Sequence, residues 1–105
     1  MLYVVFVAVH NTHREAWMEW MRDQHIPDVL ATQCFSSATF VRDVDNDSDT
    51  QTSYRIAYRA HSAAAFDRYQ AEFGGALREE HIELFGDVTR ASRELLPVLL
   101  HVEAP

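Results

Sequence analysis

The sequence predicts an α+β sandwich in the order βαββαβ, built on a four-stranded antiparallel sheet. Three observations carry this. The run Tyr3 to Val9 is apolar on both alternations, as in a strand covered on both faces. Two stretches of helical periodicity, near 14–32 and 62–85, flank a pair of strand-like segments joined by an acidic tip. A last strand-like segment follows Gly86. The 105 residues suffice for one domain, residues 1–105, with a single core.

Taken in order, Thr12-His13-Arg14-Glu15 has the form of a capping box, with Thr12 as N-cap. The first helix is expected from Arg14 to the Ile26-Pro27 step, since proline disfavours helical geometry in the residue before it. Asp28 to Thr32 adds a further turn. A second strand runs from Cys34 to Val44, the tip is Asp45-Asn46-Asp47-Ser48-Asp49, and a third strand runs from Gln51 to Ala60. Tyr54, Ile56 and Tyr58 share one face of that strand, and Arg55 and Arg59 the other. Ser62 caps a second helix carrying Phe66, Tyr69 and Phe73; Gly74-Gly75 is expected to interrupt it. Ala76 to Phe85 follows, stopped by Gly86. The last strand spans Val88 to Val102, bent or edge-placed near Pro97. This is the order of a ferredoxin-like sandwich. Its helices cover one sheet face and leave Val4, Phe6 and Ala8 on the other, too apolar to meet water. A homodimer through the sheet faces is therefore expected.

The net charge of −7 argues against nucleic-acid and anionic-membrane partners, which reward basic patches. All nine basic residues are arginine, so lysine chemistry is excluded. One cysteine, Cys34, permits no internal disulfide and suits a reducing, cytoplasmic setting. The apolar opening lacks a basic flank and a cleavage pattern, and nine residues are too few to cross a bilayer.

Two apolar helical faces each carry a histidine. Trp17, Met21 and His25 fall at i, i+4 and i+8, and Phe73, Leu77, His81 and Leu84 share a second stripe. A buried imidazole needs a partner, so both are candidates for chemistry. His81 is the expected general base, removing a proton alpha to a carbonyl while Tyr69 hydrogen-bonds the developing enolate. The alternative is a core histidine bonded to a sheet carbonyl. His25, in the last helical turn before Pro27, is expected to favour its charged form, as an acid, an anion ligand or a cap. Trp17, Trp20, Tyr54, Tyr58 and Phe66 can line a cleft for a flat ligand or form ordinary core. Met21, Phe73 and Arg78 complete the expected ligand-contacting set. Arg55 and Arg59 could neutralise a carboxylate or thioester-linked chain, but salt bridges across the dimer to Asp or Glu are the expected role.

No metal or cofactor is expected. The acidic tip lacks the glycine and closing glutamate of a calcium loop, where Thr50 and Ile56 stand. Glu79-Glu80-His81 has no second histidine at zinc spacing, and no glycine-rich phosphate loop occurs. Cys34 has no activating neighbour.

The run Trp20-Met21-Arg22-Asp23-Gln24-His25-Ile26-Pro27-Asp28-Val29-Leu30-Ala31-Thr32-Gln33-Cys34-Phe35 resembles the DUF4286 proteins. Tyr69-Gln70-Ala71-Glu72-Phe73 and Leu77-Arg78-Glu79-Glu80-His81 are similar to that family too. The likeness extends from Tyr3 to about Leu96, and it implies a dimeric α+β barrel without implying a reaction. His81-Ile82-Glu83-Leu84-Phe85-Gly86-Asp87-Val88-Thr89-Arg90 is similar, across a one-residue insertion, to the end of the polyketide cyclases that form olivetolic acid. That second resemblance implies a catalytic role for His81, although the tyrosine partner in those enzymes lies closer to its histidine in sequence than Tyr69 does.

Three functions compete. The first is a cofactor-independent acid-base enzyme (cyclase, isomerase or lyase) acting on a small aromatic or polyketide-like molecule between sheet and helices. The second is a cofactor-free monooxygenase, disfavoured because the two asparagines, Asn11 and Asn46, fall in loops. The third is a non-catalytic homodimeric binding protein.

Overall fold

The computed structural model describes residues 1–105. β1 (Leu2–His10) pairs with both β3 (Gln51–Ala60) and β4 (Thr89–Leu96), and β2 (Phe35–Arg42) closes the far side of β3. The sheet order is β2-β3-β1-β4 with every pair antiparallel, which is the ferredoxin-like α+β arrangement. A register shift between Phe35 and Ser37 bends the start of β2.

The helical layer consists of two long helices, each widened at its middle. In the first, α1 (Arg14–Trp20) passes through a π turn, Met21–His25, into α2 (Ile26–Ala31). In the second, α3 (Ala63–Tyr69) passes through a π turn, Gln70–Gly74, into α4 (Gly75–Phe85). Pro27 therefore does not end or kink the first helix as expected. The amide of Ile26 reaches back to the Met21 carbonyl, five residues away, and this widening just before Pro27 relieves the clash its ring would make with the preceding turn of a regular α-helix. Gly74-Gly75 does not interrupt the second helix either: both residues keep right-handed helical angles.

Three end signals also differ from expectation. Thr12 lies inside a 3-10 turn, Asn11–His13, and is no N-cap. Its amide donates to His10 Nδ1 at 3.3 Å and its hydroxyl bonds the rings of His10 and His13, so the two imidazoles take the place of a capping box. Gly86 keeps φ −57°, and the left-handed stop falls at Gln33, φ 63°, after α2. The last strand ends at Leu96, and residues 97–105 carry no regular structure. Ser62 caps α3 as its sequence implies, accepting from the Ala65 amide at 3.0 Å.

The core lies between the helices and one sheet face. Tyr3, Val7 and Val9 of β1 and Tyr54, Ile56 and Tyr58 of β3 meet Trp17, Met21, Val29, Phe66 and Tyr69 of the helical layer. β4 is exposed along nearly its whole length, because the helices sit over β1, β3 and β2. A gap is left at this edge of the sandwich. On the opposite face, Val4 is already buried and the Arg55 guanidinium lies 4.7 Å above the Phe6 ring. That face is thus less bare than the alternation alone implies. Arg55 pairs with Asp43 of its own chain at 3.0 Å. Leu84 is exposed at 56% and lies off the stripe assigned to it.

Candidate active site

The gap between the helices and the β1–β4 edge is a crevice. Its walls are Val5, Val7 and Ile56 from the sheet and Met21 and Val29 from the first helix, with Tyr3, Tyr58 and Tyr69 at one end. Polar groups converge on it from His25, His81, Arg78 and Arg93. Water-sized space amounts to about 30 Å³, within about 430 Å³ counted out to the open mouth. That inner space holds one or two waters, so a ligand there is compact or must push side chains aside.

Both histidines come to this crevice from different helices, with ring centroids 6.1 Å apart. The π turn delivers His25 and α4 delivers His81. Trp20 lies beside both, 4.9 Å from His25 and 5.8 Å from His81. Trp17 is fully buried, and its indole N–H donates to His81 Nε2 at 3.0 Å. Indole nitrogen can only donate, so His81 Nε2 holds a lone pair and the ring is neutral with its proton on Nδ1. The partner of His81 is therefore an indole, not a sheet carbonyl. Burial, and next the charge of Arg93, lower its proton affinity.

His25 Nδ1 is buried and has no hydrogen-bond partner. An unpaired buried nitrogen costs about 1–3 kcal/mol. Burial pushes the His25 pKa down to about 4, helped by His81 and Arg93 and opposed by Asp28. The helix continues past His25, so no helix C-terminus favours its charged form, contrary to expectation; the ring is neutral at pH 7.

Tyr69 is buried against Phe35 and Tyr3, and burial with Tyr3 nearby pushes its pKa up to about 12. Burial and the two neighbouring phenols also raise Tyr58. Both remain protonated donors at neutral pH. Arg78 and Tyr69 both border Gly74: a methyl group at that glycine would lie 2.9 Å from Arg78 Nη1 and 3.1 Å from Tyr69 Cε2. Gly74 is buried, and its lack of a side chain leaves room for both.

Of the expected residues, His25, His81, Tyr69, Met21, Tyr58 and Arg78 line the crevice together. Trp17 and Trp20 stand behind the histidines. Tyr54 and Phe66 are core side chains, and the Tyr54 hydroxyl accepts from Arg14 Nε at 2.7 Å. Phe73 lies under Arg68 and lines a separate surface groove. Arg93, Tyr3 and Ala91 were missed. Arg93 pairs in register with Val5, so it shares the helix-facing side of the sheet with the core valines. At the hairpin tip, Asp43 pairs with Arg55 and Asp47 with Arg42, so these carboxylates do not converge on a common centre. No three His, Cys, Asp or Glu side chains gather closely enough to hold a metal ion.

Residues 1–99 match the family described as Domain of unknown function (DUF4286). The chain belongs to that family. Among solved structures, this DUF4286 chain is similar to a dimeric ferredoxin-like protein from an uncultured marine organism, with TM-score 0.64 and 10% identity over 99% of this chain and 100% of that one. It is similar also to a cofactor-independent oxygenase from Streptomyces nogalater, at TM-score 0.58 and 19% identity, covering 97% and 98% of the two chains. An ethyl tert-butyl ether d (ethd) family protein from Bacillus halodurans matches at TM-score 0.58 and 13% identity, over 92% of this chain and 100% of the other. At such identities the likeness is one of fold. No curated protein matches the chain. No helix is long and apolar enough to cross a membrane.

Proposed function

We propose that this protein is a cofactor-independent acid-base enzyme acting on a small aromatic or polyketide-like molecule held between helices and sheet. The observation that carries the reading is the unpaired His25 nitrogen beside the tautomer-locked ring of His81. A structural histidine is normally satisfied; here one is satisfied by Trp17 and the other is not. His25 acts as proton acceptor. His81, whose Nε2 is occupied, offers its Nδ1–H to the carbonyl oxygen as that oxygen gains charge, and Tyr69 adds a second neutral donor. The base role expected of His81 thus passes to His25. An imidazole with a pKa of about 4 is a weak base, suited to an acidified C–H such as one flanked by two carbonyls. This favours a polyketide-like β-dicarbonyl over a simple ketone.

The competing oxygenase reading finds no amide in the crevice. Asn11 is bonded to Thr52 and Asn46 to Asp43, both remote from the histidines. The protein also acts as a homodimer in this proposal, joined through the sheet face of Val4, Phe6 and Ala8.

Deuterium exchange into benzoylacetone, followed by proton NMR, tests the chemistry. The wild-type protein should accelerate exchange at the central carbon over buffer, and His25→Gln should abolish the acceleration while the fold survives by circular dichroism. Equal exchange with and without wild-type protein overturns the enzymatic reading and leaves a binding protein.

A further inference from the structure

The crevice gathers positive charge in a chain whose net charge is −7. Its lining includes Arg78 and Arg93 and not one aspartate or glutamate. Four of the nine arginines are neutralised by carboxylates: Arg22 by Asp23, Arg42 by Asp47, Arg55 by Asp43 and Arg68 by Glu72. The Arg78 guanidinium hydrogen-bonds only the neutral amide of Gln70, at 3.1 Å, and the Arg93 guanidinium has neither ion pair nor hydrogen bond within the chain. Sixteen acidic side chains are available and none lines it, Asp28 alone acting on His25 from outside the lining. The hydroxyls of Tyr3, Tyr58 and Tyr69 add uncharged donors to the same walls.

We infer that the ligand of this crevice is a small organic carboxylate with a flat unsaturated body, its charge met by Arg93 and Arg78 at the mouth and its body lying between Tyr58, Val5 and the two histidines. This rests on the crevice being the ligand site of the function proposed above, and it specifies the substrate class. Cationic and neutral molecules of the same shape are disfavoured. A cation meets two guanidiniums without a counter-charge, and a neutral isostere leaves them unpaired. Arg93 is within electrostatic reach of both imidazoles and of Tyr69, so charge at the mouth communicates with the reacting end. Gly74 belongs to the same device. A Cβ there would lie 2.9 Å from Arg78 Nη1, so its absence leaves room for the guanidinium to pack over the helix beside the crevice.

The test compares benzoate with benzamide, matched in size and differing in charge, by following the Cε1–H signals of His25 and His81 in NMR titrations. Benzoate should move both signals and bind at least about tenfold more tightly than benzamide. Arg93→Gln and Arg78→Gln should each erase most of that preference. Arg42→Gln, which removes one positive charge from the hairpin tip, away from the crevice, should leave it intact. Equal binding of the two probes, silent histidine signals with benzoate, or a preference that survives both crevice substitutions would overturn the inference. The two proposals fail separately. Arginine-dependent benzoate binding without benzoylacetone exchange leaves a carboxylate-binding protein, whereas exchange without charge preference leaves an enzyme for neutral substrates.

Discussion

Trp17 does two jobs with one ring. Its indole fills the core, and its N–H sets the tautomer of His81. Trp17→Phe keeps most of the volume but leaves His81 Nε2 without its donor. The expected cost is about 1–3 kcal/mol in urea unfolding, and nitrogen chemical shifts should show His81 losing its single tautomer. His25 makes the native state sensitive to acid. Its folded pKa of about 4 lies below the 6.5 of an unperturbed ring, so as pH falls from 6.5 the unfolded chain takes up a proton that the native crevice refuses. Stability is therefore full above pH 6.5 and is lost progressively towards pH 4, by about 2–3 kcal/mol from this group. Chemical unfolding at several pH values, compared with His25→Gln, should show the loss in wild type and its removal in the variant. At this scale much was legible: Trp17, Met21 and His25 announced a shared face through their four-residue spacing. Arg93 was not, because the parity of β4 acquires meaning only through its pairing with Val5, a contact nearly ninety residues away in the chain.

Each long helix bears its site residues beside a π turn, and neither turn was visible beforehand. Local signals pointed to breaks instead, proline in one helix and a glycine pair in the other, because single-residue propensities do not record a five-residue hydrogen bond. The two glycines separate structural from site roles. Around Gly75 nothing lies within 4 Å of an added methyl group, so Gly75→Ala should raise stability by about 1 kcal/mol. Gly74→Ala gains the same propensity but pushes on Arg78 and Tyr69, so its melting temperature should not rise in step, and binding in the crevice should weaken. Paired thermal melts of the two variants would decide between these roles. If both stabilise equally, the Gly74 contact has no consequence.

The βαββαβ order was readable in full, since each strand and helix carried its own periodicity. The uncovered sheet face was less so. Val4 proved buried within one chain and Phe6 shielded by Arg55, contacts that alternation cannot reveal. If two copies join through this face, sedimentation velocity at micromolar concentration should give a dimer for the wild type. Phe6→Glu should then give a folded monomer, the new carboxylate lying beneath Arg55. A wild-type monomer at that concentration would remove the sheet-to-sheet arrangement.

The wide turn at Met21–His25 also takes up one residue more than an α turn spans. Excising one residue from positions 22–24 would let the same Ile26 amide meet the same Met21 carbonyl across four residues, an ordinary α turn, with the downstream side chains near their present phase. His25 would stay turned towards the crevice, and Trp17, upstream, would keep its grip on His81. Short deletions are usually confined to loops, yet this helix holds one surplus residue that can be lost with the proton acceptor still in place.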